Sequence, residues 1–221
     1  MEISEVFFEN SLLEESLVKL LKEDYIDAGS EDLFHEIITI FFEHANERIK
    51  EFPNAVQHLK SRKYSLARSA IDRFDNFHSS VVILRKTIKS LISGIAITSA
   101  IADQNEIADY QKKWETYDDD ERSKFTFYFH HQFIYQQFKK VNTLEELAEF
   151  NEQFHQYLVE MAFKLAEILI RRMTYTIEYF NDDEVLKESC YQAAGQLELF
   201  QAEIEKLKKN PYQPNEEERR N

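Results

Sequence analysis

Residues 143–180, TLEELAEFNEQFHQYLVEMAFKLAEILIRRMTYTIEYF, decide the fold class. Thr143 and Glu146 form a capping box, in which each side chain satisfies a backbone N–H that the first helical turn leaves without a partner. Behind it Leu147, Phe154, Leu158, Met161, Leu165 and Ile168 recur at helical spacing, with no Gly or Pro to interrupt them. The pattern predicts one helix running to about Phe180. A second stripe, Val159, Ala162, Ala166 and Leu169, lies beside the first. A helix buries a second stripe only against another element. The expected cover is a second copy of the chain, which makes these four residues a candidate homodimer interface. The competing cover is the final helix, 184–208, of the same chain.

Working outward, Asn181-Asp-Asp-Glu184 breaks the long helix, and a last amphipathic helix carries Val185, Leu186, Ala193, Leu197, Phe200, Ile204 and Leu207. Upstream, Phe125 to Phe138 (FTFYFHHQFIYQQF) begins with a strand-like alternation. Yet Phe127, His131, Ile134, Phe138 and Val141 trace a helical stripe. Val81 to Thr98 is rich in β-branched residues but has no second strand to pair with, so it reads as a helix. The small residues Ser93, Gly94, Ala96, Ser99, Ala100 and Ala102 in and after it would let another helix approach closely. Ser30 is a good N-cap for a helix with Phe34, Ile37, Ile38, Phe41, Ala45, Ile49 and Phe52 on its face. Pro53 forces a boundary near Phe52. Another helical pattern follows through Ala55, Val56, Leu59, Leu66, Ala70 and Ile71, with a connection expected at 61–63.

The expected fold is therefore all-α: an antiparallel bundle of six to seven helices, or two short bundles. The four-acid run Asp118 to Glu121 sets the expected division, with an N-terminal helical bundle over 1–117 and a C-terminal helical hairpin or bundle over 118–209. Residues 210–221, with Pro211, Pro214 and EEERR, read as a flexible tail.

Composition narrows the function. A chain of 221 residues can bury a full core without a metal or disulfide staple. Its net charge of −14 argues against nucleic acid and anionic membrane as partners. The one cysteine, Cys190, fits a reducing compartment and reads as a buried filler rather than a nucleophile. Three isolated glycines exclude a Gly-rich phosphate loop or dinucleotide fingerprint. The acidic start lacks the basic and apolar regions of a signal peptide. The most apolar stretch, Ser90 to Ala102, is 13 residues long, against the about 20 that span a bilayer. The expected address is the cytoplasm.

One pattern points to chemistry. Asp75-x-x-His78 and Glu152-x-x-His155 each place a carboxylate and an imidazole one turn apart on a helix face, as in ferritin-like bundles that hold two metal ions. Asp75, His78, Glu152 and His155 are therefore the metal candidates, set against the reading that both histidines are simply hydrogen-bonded. The many phenylalanines, Phe41, Phe42, Phe133 and Phe138 among them, offer ring area for a core and for an interface.

Two resemblances bear on function. Thr143 to Ile170 (TLEELAEFNEQFHQYLVEMAFKLAEILI) resembles the helical region of phasins, which implies a coat protein of polyester storage granules. Ile37 to Leu91 resembles the helix pair of histidine phosphotransfer domains. In that family a histidine stands mid-helix before a Leu-Lys-Gly turn, but here Ile71-Asp72-Arg73-Phe74 holds that place, so the phosphoryl-accepting role does not carry over. The function expected from the residues is non-catalytic and without a cofactor: a cytoplasmic helical adaptor, regulator or scaffold that binds protein and self-associates. A metal-binding bundle and a phasin-like granule protein are the alternatives.

Overall fold

The computed structural model describes residues 23–24, 29–73, 79–115 and 125–210. Helix α1 spans Glu31–Ile49, α2 Phe52–Lys60, α3 Tyr64–Arg73 and α4 Ser79–Ser99. A 3₁₀ turn at Gln104–Glu106 leads into α5, Ile107–Glu115, and α6 follows at Phe125–Phe138. The long α7 covers Leu144–Phe180, and α8 covers Lys187–Lys209. The fold is all-α, and no strand occurs among the described residues.

Local chemistry places most of these ends. Thr143 Oγ1 accepts from the Glu146 N–H at 3.2 Å while Glu146 Oε2 accepts from the Thr143 N–H at 3.2 Å, the reciprocal bonds of the expected capping box. Pro53 sits in the first turn of α2, where its missing N–H costs nothing. The connection between α2 and α3 falls at 61–63, as its pattern predicts. The β-branched stretch from Val81 to Thr98 is helical in α4, and the alternating FTFYF opens α6.

The described residues form two compact units, one of 55–163 and the other of 29–54 together with 164–210. This division differs from the expected one at 117/118, and the reason lies in α5 and α6. Trp114 of α5 packs its ring on Phe138 of α6, centroids 5.6 Å apart, and on Phe154 of α7 at 5.8 Å. The Gln111 side-chain amide donates to the carbonyls of Phe138 and Val141, at 3.0 and 2.9 Å, capping the C-terminal end of α6. The helices on either side of the acid run thus share one core. The run itself and the tail 211–221 lie outside the described residues, as does an N-terminal stretch with Leu12, Leu13, Leu17, Leu20 and Leu21 at helical spacing.

Within the first unit, Gly94 of α4 faces Trp114 so closely that a Cβ there would lie 2.2 Å from a ring carbon. The small-residue side of α4 does admit a neighbour, and that neighbour is an indole. Phe138, Phe150 and Phe154 continue the ring cluster, with centroids 5.3 and 5.6 Å apart. These rings are core.

In the second unit α1 packs on α8, and Phe34 meets Phe180 at 5.8 Å while Phe52 meets Phe200 at 6.2 Å. The turn after α7 is held by Asp183, whose carboxylate accepts from the N–H groups of Val185 and Leu186 and from His35 Nε2 at 2.9 Å. Those bonds hold the Asp183 carboxyl below its usual range even though burial acts the other way. The α7 face expected from spacing is buried at every position from Leu147 to Ile168. Three positions expected on apolar faces stand in the open instead: Ile37, Leu66 and Val185. On α1 the core uses Phe34, Ile38, Phe42, Ala45 and Ile49, a stripe that takes Phe42 and turns Ile37 outward.

Candidate functional site

The densest polar cluster joins the α2–α3 connection to α7 inside the first unit. At the end of α2 the N–H of Arg62 bonds the carbonyl of Leu59 and the N–H of Lys63 bonds that of His58, both at 2.9 Å. This pair of bonds is a Schellman motif, and it puts Arg62 in the left-handed region with φ 56°. A side chain there costs about 1 kcal/mol relative to glycine. The Arg62 guanidinium bonds the Glu152 carboxylate of α7 at 2.5 Å. Two residues on, Tyr64 opens α3 and its hydroxyl lies 3.0 Å from Nδ1 of His155. The two rings meet edge-on, 6.0 Å apart and at 74°. Glu152 and His155 are three apart on α7, so one helix face supplies both partners.

Electrostatics closes the cluster on itself. Burial lowers the His155 pKa to about 4; the Arg62 charge acts in the same direction and Glu152 against it. Burial raises Tyr64 to about 12, with Arg62 opposing. The hydrogen bond from Arg62 holds Glu152 below its usual range. At neutral pH the site is therefore a neutral imidazole bonded to a protonated phenol, beside an ion pair. Each group is engaged by another group of the cluster. A hollow of about 70 Å³ is lined by Gln153, Gln156, Tyr157 and Glu160, far below the roughly 300–1,000 Å³ of a small-molecule pocket.

Of the four metal candidates, Glu152 and His155 come together, but with Arg62 and Tyr64 rather than with further donors. Asp75 and His78 lie outside the described residues. Among the described residues no group of three His, Cys, Asp or Glu is placed to hold a metal ion. The sequence reading missed Arg62 and Tyr64. Their connection was legible, but nothing local told that it would meet a helix 90 residues away. Cys190 is fully buried, and that burial, helped by Asp183, raises its thiol pKa. It is no activated nucleophile.

The candidate homodimer stripe falls largely on buried positions. Ala162, Ala166 and Leu169 are 1 %, 0 % and 0 % exposed in the single chain, and Val159 is half-buried. Three of the four positions are therefore buried within the single chain and present no open face. Leu66 and Leu144 are open in the first unit, and a longer open row lies in the second. On α1, Leu33, Ile37 and Ile40 are exposed at spacings of four and three, along one line of the helix. Exposed Asp32, Glu36, Glu43 and Glu47 form an acidic edge along that line. On α8, Tyr191 and Leu199 are 78 % and 64 % exposed.

No helix among the described residues is long and apolar enough to cross a membrane. Family models, curated proteins and solved structures give no match to this chain.

Proposed function

We propose that this chain is a non-catalytic cytoplasmic protein that acts by binding other proteins, a second copy of itself among them. The carrying observation is the open line Leu33, Ile37 and Ile40 on α1 with its acidic edge. Aliphatic side chains at helical spacing offer a partner helix a matching row of anchors. The acids beside them favour a partner with Lys or Arg along one edge and disfavour an acidic one. The best-built polar cluster, by contrast, spends its groups on one another, which supports a structural rather than a catalytic role for it.

An 18-residue amphipathic peptide with a leucine face and a lysine edge tests this reading. Titrated into the full chain, it should shift the backbone amide resonances of α1, and a scrambled peptide of equal charge should not. Ile37→Asp should weaken binding about tenfold or more. Equal response to both peptides, or shifts that avoid α1, overturns the proposal.

A further inference from the structure

Gly195 sits in the middle of α8, on its exposed face, and a Cβ there would meet nothing within 4 Å. Glycine is a poor residue for a helix interior, because it gives up more backbone freedom than any other. Gly94 has a reason inside the chain, the indole of Trp114. Gly195 has none among the described residues. On the same face stand Tyr191 and Leu199, large and open, and Ala202, small and open. Large and small residues therefore alternate on a surface that nothing among the described residues covers.

Two charges on this face follow the same layout, with exposed Glu198 and Glu203 flanking them. Exposed Glu188 and Lys206 are eighteen residues apart, five full turns, so they lie on one line of the helix. Glu188 is nine residues before position 197 and Lys206 nine after it. Gly195 is two before and Leu199 two after. One centre relates both pairs, as a two-fold axis crossing the helix at the level of residue 197 requires.

We infer that α8 pairs antiparallel with α8 of a second copy across that axis. The pairing rests on the protein-binding reading above but uses a different helix, so each can fail alone. It sets Leu199 over Gly195 of the second copy, and Tyr191 beside the second copy's Ala202. Glu188 of each copy faces Lys206 of the other, twice per dimer. The patch is self-complementary, as an isologous interface must be. A small residue opposite a large one lets two helices approach closely and fill the seam. Glu188 now accepts from Gln192, 2.9 Å away, and Lys206 lies 3.8 Å from Glu203, all on the surface. Both are free to re-pair at little cost.

Light scattering of the full chain from micromolar to several hundred micromolar, at low and at high salt, tests the pairing. A dimer weakened by salt is expected. Leu199→Glu should give a single-chain mass with unchanged helical content, since the residue is exposed. Glu188→Lys and Lys206→Glu should each weaken the dimer about tenfold by setting like charges opposite one another. The double exchange Glu188→Lys with Lys206→Glu should restore it. A single-chain mass at every concentration overturns the inference. So does a dimer that survives Leu199→Glu, or one that the double exchange fails to restore. None of these outcomes touches the α1 peptide result, which decides the protein-binding reading separately.

Discussion

The Tyr64 hydroxyl lies 3.0 Å from Nδ1 of His155, across 91 residues of sequence. That one bond fastens the start of α3 to the middle of α7, and the Arg62–Glu152 pair fastens the residue two earlier to the turn before. Both partners in the buried bond are uncharged at neutral pH, so neither suffers the desolvation cost of an ion. The ion pair is the outer, half-exposed bond of the two. Exposed pairs of this kind contribute at most about 1 kcal/mol, so the clasp depends mainly on the buried ring contact and its hydrogen bond.

The first prediction follows from His155. Its folded pKa, about 4, lies below the usual imidazole value of 6.5, so the unfolded chain binds the proton more readily. The stability this residue contributes is fully present above about pH 6.5, falls between about 6.5 and 4, and is flat below that. Urea unfolding at pH 7.5 and 5.0 should show a larger loss on acidification for the parent than for His155→Gln. Equal losses in the two proteins would mean that the imidazole is protonated as easily folded as unfolded.

The two helical glycines should answer the same substitution with opposite signs. Gly94→Ala drives a Cβ to 2.2 Å from the buried Trp114 ring. Overpacking of this kind costs about 1–3 kcal/mol, against about 1 kcal/mol gained in helix propensity. A net loss is expected, at the upper end of that range because the ring is rigid. Gly195→Ala meets open space and should raise stability by about 1 kcal/mol. The second measurement belongs in the Leu199→Glu background, where pairing of α8 does not intervene. Chemical denaturation gives both signs directly, and a stabilised Gly94→Ala would show that the indole can move aside.

The third prediction concerns metal. Nδ1 of His155 is taken by Tyr64 and the Glu152 carboxylate by Arg62, which leaves one free ring nitrogen at this site. Elemental analysis of the full chain, purified without chelator, should find well under one transition metal per molecule. His155→Ala should keep its helical content, at a cost of about 1–3 kcal/mol for the lost buried bond. Stoichiometric iron, manganese or zinc that disappears in this variant would overturn the non-catalytic reading and restore the bundle-metal alternative, with Asp75 and His78 as the remaining ligands.

What the sequence determined by itself was local. The capping box at Thr143, the break at Asn181, Pro53 in the first turn of α2 and the apolar rhythm of α7 follow from backbone chemistry within a few residues, and such chemistry is written in order along the chain. The all-α class follows from the same periodicity. Only the tertiary structure decided which of two adjacent apolar stripes faces outward. On α1, Ile37 and Phe42 differ by five residues and both suit a core, yet Phe42 is buried and Ile37 is not. On α7 the stripe Val159, Ala162, Ala166 and Leu169 looked open because its cover lies elsewhere in the chain. The division into units was hidden for the same reason: acids mark a connection, but only the packing of Trp114 on Phe138 shows that the helices on either side of it share one core. Arg62 and Tyr64 were invisible as partners of Glu152 and His155, since a hydrogen bond spanning about 90 residues leaves no local pattern. Periodicity records that a face is apolar; what covers that face depends on where the rest of the chain goes.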